Sequence, residues 1–483
     1  MSASLNAKTA AIAIAKSASS VVGMATLIVL TRSLDKHELA TYQQTFLAYL
    51  LVAPFLQLGI DQGIFHFLSV EKLRIRGRVI DALTALGIAG VLFAVFIIAG
   101  GNQFLARSFD NPKVAEMLLW MAPYAILTLP GNQVSPVLIS RDRIFLSSGF
   151  AILKQFVIGA ATIAPLIVWR NAESPLIGNV VASCLMAIAS IGLMIKATPN
   201  DSAKPDVEAM RELVRFSLPL GLSFLIGAIM TQMDKLIVSV AQSPESFAVY
   251  AVGAFEVPGL AIVTGSITAA IIADMTRRFK QGEGDSALAL WNAASQKSAL
   301  FLFPASVFLF AFSTEFISVV FSSRFTESAP IFQLYVVLLP LRIFLFGSIL
   351  AAAGESGFIL KRTAFWAISN LALSVSLYRA IGIEGVVWGT IISQYLLAAP
   401  MNFLKIKQVT HCQWSELAPA RRLLRIALAA IGPILLVYPL KSFLDSNWQT
   451  LALAFCIYAV ATAIVYRLTR LISLSFPKGA FSK

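Results

Sequence analysis

An apolar stretch in the middle of the chain, residues 213–240, reads LVRFSLPLGLSFLIGAIMTQMDKLIVSV. From Phe216 to Met233 it contains no charged residue, and its length suits a bilayer core, which takes ~20 helical residues to cross. A helix satisfies its own backbone hydrogen bonds, as a lipid environment requires. The stretch is therefore predicted to be a transmembrane helix that ends near a charged pair, Asp234 and Lys235.

The whole chain has a composition similar to this stretch. Of its 483 residues, 58% are hydrophobic and 13% are charged, and the mean hydropathy is +0.78. Soluble globular proteins average about 25% charged residues, so this chain has too little polar surface for a water-soluble fold. This composition argues against a soluble enzyme, a nucleic-acid-binding protein or a secreted scaffold, and it predicts a polytopic membrane protein.

Hydropathy along the chain predicts an all-α protein with fourteen transmembrane helices. The first of these is too long for a cleaved signal peptide and is interrupted by Lys16, so it is predicted to be retained. The predicted spans are residues 9–31, 41–67, 79–101, 114–139, 144–169, 175–196, 213–240, 246–273, 288–312, 330–353, 357–378, 384–404, 421–440 and 448–471.

The longest connection, residues 197–212, is polar and is predicted to be a cytoplasmic linker between two lobes, residues 1–196 and 213–408. Residues 409–483 hold two extra spans and a tail. Lysine and arginine favour one side of the predicted topology by roughly three to one, which places both termini in the cytoplasm. This bias accounts for most of the net charge of +13, so no nucleic-acid partner is expected.

The two predicted lobes share a weak sequence repeat with a period of about 208 residues. Residues 26–42 (TLIVLTRSLDKHELATY) align without gaps on residues 234–250 (DKLIVSVAQSPESFAVY), and Pro130 corresponds to Pro340. Repeats of this kind are typical of transporters that bind substrate between their halves. Two pseudo-symmetric six-helix lobes plus two C-terminal helices are therefore predicted.

Signatures of enzymes and of metal sites are missing from the sequence. It has no GxxxxGK[ST] phosphate loop, no GxSxG and no HExxH, and its three cysteines and three histidines have no metal-binding spacing. Neither catalytic nor metal-binding residues are predicted, and no cofactor is expected. Uphill transport would draw on a proton or sodium gradient.

Ionisable side chains inside the predicted spans are the candidates for function, because a charge at the bilayer centre costs ~2.5–3.5 kcal/mol and normally faces a cavity or a partner. Four cations are predicted to line a cationic substrate cavity, and three acids are candidates for ion coupling or gating. The cations are Lys16, Lys154, Lys297 and Arg342, and the acids are Asp61, Asp234 and Glu256.

Several of these assignments leave an alternative open. Lys16 shares a small, polar helix face with Thr26, which could line the cavity or pack against another helix. Lys154 and Arg342 could bind substrate or form structural ion pairs. Asp61 and Glu256 could take up a proton or sodium ion, or pair with a cation. Lys297 could lie in the cavity or at the cytoplasmic interface.

Arg342 lies two residues after a proline in its span, as does Asn132 in the matching span of the other repeat. Proline removes a helical hydrogen bond, so both helices are predicted to be kinked or opened at these points. The small excess of cations over acids inside the membrane suits an anionic headgroup such as phosphate or pyrophosphate, which needs several cationic donors.

The chain resembles the multidrug/oligosaccharidyl-lipid/polysaccharide exporter superfamily, and within it the bacterial O-antigen and exopolysaccharide flippases. The resemblance covers most of the first twelve predicted spans and lies in loose patterns. These are LIVLTRSLDKHELATYQQTFLAYLLVAPFLQLGIDQGIFHFLS (27–69), the mid-chain stretch LVRFSLPLGLSFLIGAIMTQMDKLIVSV (213–240), TEFISVVFSSRFTESAPIFQLYVVLLP (314–340) and GIEGVVWGTIISQYLLAAP (382–400).

This resemblance implies a MATE-like fold of two six-helix lobes around a central cavity that works by alternating access in the bacterial inner membrane. It further implies transfer of an undecaprenyl-pyrophosphate-linked oligosaccharide from the cytoplasmic to the periplasmic leaflet, with cavity Lys and Arg residues on the pyrophosphate. The substrate would serve O-antigen, exopolysaccharide or capsule biosynthesis, and a polysaccharide polymerase or export complex is an expected partner. Asp234 matches the family's Asp at the end of the seventh span.

Two other functions stay open at this stage. An ion-coupled multidrug antiporter has the same predicted fold. A membrane-embedded polysaccharide polymerase is less favoured, because such enzymes need a sizeable outside loop with acid and base residues and the longest outside loop here is only about a dozen residues. Among the flippases, the peptidoglycan-precursor branch has an arginine-rich first span, whereas Lys16 stands alone here, which counts against lipid II as substrate.

Overall fold

The structure, a computed structural model, describes residues 5–70, 74–199 and 204–471. These residues are helical almost throughout, and no strand occurs among them. The predicted all-α fold is therefore confirmed. The C-terminal tail beyond Leu471, both chain termini and residues 200–203 of the predicted linker lie outside the described residues.

The chain divides into two compact units, Met1–Ala248 and Val249–Lys483. The first contains eleven α-helices and the first half of a twelfth, with a π-helical segment at Ile97–Gly101 and a 3-10 segment at Ala164–Ile167. The helices are α1 (Leu5–Ser33), α2 (Lys36–Gln57), α3 (Ile60–Val70), α4 (Ile75–Phe96), α5 (Asn102–Ser108), α6 (Lys113–Leu119), α7 (Met121–Gly131), α8 (Val134–Ser140), α9 (Ile144–Ile163), α10 (Glu173–Ala197), α11 (Val207–Ala241) and α12 (Pro244–Gly253).

The second unit continues with thirteen α-helices and is interrupted more often. Its 3-10 segments are Ser323–Ser328 and Leu339–Phe344, and its π-helical segment is Ser393–Ala398. The helices are α13 (Pro258–Lys280), α14 (Gly284–Ala311), α15 (Ser313–Val320), α16 (Ala329–Val336), α17 (Phe346–Ala352), α18 (Ser356–Ile381), α19 (Ile383–Ile392), α20 (Ala399–Thr410), α21 (Trp414–Leu417), α22 (Ala420–Ile431), α23 (Ile434–Val437), α24 (Leu440–Phe443) and α25 (Asn447–Leu468).

Within the described ranges, 11 helices are long and apolar enough to cross a membrane, or up to 12 if the bent pair Lys113–Leu119 and Met121–Ser140 is one span. The protein is a multi-pass membrane protein. The predicted spans 213–240 and 384–404 are also helical, but they are not among those helices. The total of fourteen therefore stays a prediction.

The boundary between the compact units differs from the predicted boundary between the lobes. Helix α11 packs on α2, α3 and α4, so its contacts place it in the first unit. The division predicted from the sequence follows the linker at 197–212 and assigns residues 213–248 to the second lobe. A repeat boundary follows sequence similarity, whereas a compact unit follows packing, and the two need not coincide.

Glycine makes the packing of α11 against the break between α2 and α3 very close. Leu58 and Gly59 have φ angles of 51° and 68°, which ends α2 and redirects the chain into α3. A Cβ built on Gly221 would lie 2.6 Å from the backbone nitrogen of Gly59. No side chain larger than hydrogen fits between these two backbones.

We expect Gly221→Ala to lower the free energy of unfolding by about 1–3 kcal/mol, the usual cost of inserting a methyl group into a packed contact. Gly227→Ala on the same helix is the matched control, since a Cβ there has no heavy atom within 4 Å. Thermal unfolding of both purified variants is the measurement. Equal melting temperatures for the two variants would contradict the close contact.

Proline breaks helices at both predicted positions. In the first unit α7 ends at Gly131, just after Pro130, and α8 begins at Val134. In the second unit Pro340 lies in the first turn of the 3-10 segment 339–344. Leu345, which follows this segment, has a left-handed φ of 43°. The predicted disruption of these helices is confirmed.

Candidate substrate-binding site

A cavity of about 660 Å³ lies within the second unit. That volume falls in the range of small-molecule sites, about 300–1,000 Å³. Apolar and glycine residues form much of its wall, and Arg342 is the charged side chain among the residues that line it. The other polar side chains of the wall are Thr264, Thr268, Ser348 and Gln394.

Arg342 reaches the cavity because the helix is interrupted at its position. It lies in the 3-10 segment 339–344, inside the apolar stretch Ser323–Ala352, which is long enough to span a membrane. Non-helical backbone at membrane depth is tolerated where protein buries it or where it lines a water-filled cavity. Interrupted helices also mark the substrate sites of many transporters. The helix break and Arg342 therefore indicate the same candidate substrate site, the 660 Å³ cavity.

Glu256 is the ion-pair partner of Arg342. Its Oε1 atom lies 2.6 Å from Nη2 of Arg342, and the two side chains are 69% and 41% exposed, respectively. Glu256 comes from the non-helical residues between α12 and α13, just before Pro258, which occupies the first turn of α13. The structure thus shows a pair between this acid and this cation, and the substrate-binding role of Arg342 and the ion-coupling role of Glu256 stay predictions.

Lys154 lies on α9 in the first unit and is half-buried. Its Nζ donates a hydrogen bond of 2.9 Å to Oδ1 of Asn132, which lies just beyond the end of α7. This hydrogen bond joins Asn132, which follows the break after Pro130, directly to Lys154 on α9. This partner is a neutral amide and not the carboxylate of an ion pair, which was one of the two alternatives for Lys154, so the contact does not compensate the positive charge.

Lys16 is exposed on α1, which packs along α9. The helices run parallel, because Lys8 pairs with Asp142 near their starts and a Cβ on Gly159 would lie 3.1 Å from Oγ1 of Thr26 further along. At this register Lys154 lies roughly 8 Å further along the helix axes than Lys16, from the rise of 1.5 Å per residue. Thr26 faces α9, so that side of the polar face serves helix packing.

The three other predicted residues lie elsewhere in their units. Asp61 occupies the first turn of α3, where the side chain of Gln62 donates to it at 3.5 Å. Asp234 is half-buried on α11, and Lys297 is half-buried on α14, away from the lining of the 660 Å³ cavity. The structure brings together Arg342 with Glu256 and Lys154 with Asn132. The cationic cavity predicted for the four cations and the coupling or gating roles predicted for the three acids stay predictions.

Asp81 is a buried acid that the sequence reasoning missed. Its side chain has 0% exposure, and it accepts hydrogen bonds from Nη1 of Arg74 at 3.0 Å and from the backbone nitrogen of Asp206 at 2.9 Å. Backbone N–H groups of Ala209 and Glu208 lower the pKa of Asp206, which caps α11. The sequence does contain a signal that could have identified this pair: Asp81 lies in the third predicted span, seven residues after Arg74.

A buried polar network was also missed, because its members carry no charge. Nε2 of Gln44 on α2 donates to Oγ of Ser239 on α11 at 3.0 Å, and Nδ2 of Asn111 donates to Oε1 of Gln44 at 2.8 Å. All three side chains are fully buried. The network holds the C-terminal part of α11 against α2 within the first unit.

Comparison with known proteins agrees with this architecture. A family model described as "Polysaccharide biosynthesis protein" matches residues 29–330. A search among curated proteins finds no match. The structure of the lipid II flippase MurJ in an inward closed conformation has a TM-score of 0.77 at 15% identity, covering 94% of this chain and 98% of that chain.

Transporters of related architecture also match. A mutant of the Vibrio cholerae MATE transporter VcmN has a TM-score of 0.58 at 15% identity and covers 85% of this chain and 98% of its own. A MOP superfamily transporter from Pyrococcus furiosus has a TM-score of 0.57 at 15% identity, with coverages of 84% and 95%. At these identities the matches establish the fold, which is the MATE-like fold predicted from the sequence. Because the family model spans more than half of the sequence, this chain belongs to the polysaccharide biosynthesis protein family.

Proposed function

We propose that this protein is a flippase for an undecaprenyl-pyrophosphate-linked oligosaccharide. It would move this lipid from the cytoplasmic to the periplasmic leaflet of the bacterial inner membrane by alternating access, with both of its termini in the cytoplasm. The product would feed O-antigen, exopolysaccharide or capsule biosynthesis. Membership of the polysaccharide biosynthesis family and the likeness to flippase and transporter folds support this proposal.

The observation that carries the proposal is Arg342, a guanidinium in a span-length apolar stretch that faces a cavity of about 660 Å³. A guanidinium offers paired N–H donors that match phosphate oxygens, and it stays charged at any physiological pH. Lys154, whose Nζ donates to the neutral side chain of Asn132 in the first unit, is the other predicted headgroup-binding cation with a described contact. Polar wall groups such as Gln394 and Thr268 suit the hydroxyl groups of a sugar.

A cation exporter of the same fold would need a different site. Such a site would present a carboxylate to its substrate, whereas Glu256 already contacts Arg342. Any energy for net transport would come from a proton or sodium gradient. A polysaccharide polymerase or export complex would take the flipped product.

Reconstitution of the full chain in liposomes tests the proposed function. The liposomes would carry a fluorescent undecaprenyl-pyrophosphate-linked oligosaccharide, and dithionite quenching would report which leaflet holds the probe. We expect the protein to speed the exchange between leaflets well above that of empty liposomes. Unlabelled lipid-linked oligosaccharide should compete with the probe.

The same liposomes distinguish the alternatives. Competition by lipid II as strong as by the oligosaccharide lipid would assign the protein to peptidoglycan-precursor transport, the activity named for MurJ. Uptake of a cationic dye that depends on an ion gradient, without any lipid exchange, would instead assign it to the multidrug antiporters and contradict our proposal.

A further inference from the structure

We propose that Glu256 is a built-in competitor for the anionic headgroup. Its carboxylate pairs with the guanidinium of Arg342, and the pyrophosphate of the substrate displaces it on binding. The inference rests on the proposed function and adds to it a device that limits how tightly the transporter holds its substrate.

The geometry of the pair suits an exchange of anions. One oxygen of Glu256 contacts one nitrogen of Arg342, at 2.6 Å. A guanidinium has five N–H donors in a planar fork, so a single contact leaves donors free for a second anion. With 41% of its side chain exposed, Arg342 can present them without moving its backbone.

Glu256 can also leave at little cost. Its side chain is 69% exposed, so no close packing holds the carboxylate in place once it separates from Arg342. It sits on non-helical backbone between α12 and α13, and its release would break no helical hydrogen bond. A buried partner would lack this freedom, because an uncompensated buried charge is strongly unfavourable.

Pyrophosphate has the advantage in this competition while it is present. It carries more negative charge than a carboxylate and can accept two parallel N–H bonds from the arginine. When the headgroup begins to leave, Glu256 returns to Arg342 and opposes rebinding. Transport requires a site that binds well enough to load and weakly enough to release, as conduction through ion channels also does.

Equilibrium binding to the full chain in nanodiscs tests the exchange, with farnesyl pyrophosphate as the probe. We expect Glu256→Gln to bind it about fivefold more tightly than wild type, the change that corresponds to an ion pair of up to about 1 kcal/mol at 1.4 kcal/mol per tenfold. Glu283→Gln is the matched control, since Glu283 is exposed in the same unit at the start of α14. It should leave the dissociation constant unchanged.

A double-mutant cycle assigns the effect to the pair. In an Arg342→Gln background the Glu256→Gln substitution should no longer tighten binding, because the two substitutions act through one contact. Equal tightening in both backgrounds would show a general change of electrostatic potential and would overturn the inference.

The remaining outcomes separate the two proposals. If wild type binds the probe through Arg342 and Glu256→Gln has the same dissociation constant, the competitor role is wrong and the flippase proposal stands. If neither wild type nor Glu256→Gln binds farnesyl pyrophosphate, while both keep the melting temperature of the folded protein, both proposals are overturned.

Discussion

Replacement of Arg342 by glutamine is expected to weaken binding of a pyrophosphate-linked lipid by roughly 10- to 100-fold, since hydrogen bonds to charged groups contribute about 1.5–3 kcal/mol. Glutamine keeps a hydrogen-bonding side chain but is shorter and has no charge. Leaflet exchange should fall by a similar factor. The arginine lines the cavity itself, so the loss is expected in binding rather than in folding.

The measurement is the liposome exchange assay, combined with farnesyl pyrophosphate binding in nanodiscs. Arg324→Gln is the matched control, because Arg324 is an exposed arginine of the same unit in the 3-10 segment 323–328. Exchange by the Arg342 variant at the wild-type rate would show that Arg342 does not bind the headgroup, and the proposed function would lose its main support.

Lys154→Gln extends this prediction to the first unit. We expect a smaller loss of about 5- to 10-fold, because a lysine acts as a single point charge and lacks the paired donors of arginine. The neutral contact with Asn132 can be kept by glutamine, so the variant should fold normally. A wild-type rate of exchange would show that Lys154 does not bind the headgroup and would leave it as a structural residue.

The second large effect is expected at Asp81. Asp81→Asn should lower the free energy of unfolding by roughly 2–3 kcal/mol, somewhat less than the 3–5 kcal/mol typical of a broken buried pair. The expected loss of stability is smaller than that range because the side chain of Arg74 is 24% exposed and also has the carboxylate of Asp206 at 3.6 Å. The amide would face Arg74 with one oxygen instead of two.

Thermal unfolding in detergent would measure this change as a lower melting temperature. Asp142→Asn is the control, because Asp142 pairs with Lys8 but is 71% exposed, and exposed pairs contribute about 1 kcal/mol or less. A melting temperature for Asp81→Asn that matches the control would show that the buried contact does not stabilise the protein.

Individual spans follow closely from hydropathy. The predicted span 357–378 is the helix Ser356–Ile381, and 175–196 is Glu173–Ala197. Each prediction depends on neighbouring residues alone, because an apolar segment in lipid must form its hydrogen bonds within itself. The breaks after Pro130 and Pro340 follow equally locally, from the missing backbone donor of proline.

Contacts between distant residues could not be predicted in this way. The sequence identified Glu256 and Arg342 as ionisable residues but left several partners open for each, since 86 positions separate them. It missed Asp81, whose importance comes from the carboxylate geometry at Arg74 and Asp206. Composition reports which charges exist, whereas pairing depends on how the helices are arranged.

The sequence by itself therefore determined the membrane environment, the all-α class, most helix positions and the set of candidate charges. These properties depend on local hydropathy and backbone chemistry. Only the tertiary structure decided that α11 packs in the first unit, that Gly221 meets Gly59, and that Arg342, which lines a cavity, pairs with Glu256. Those features depend on distances between segments far apart in the chain, which are set by packing.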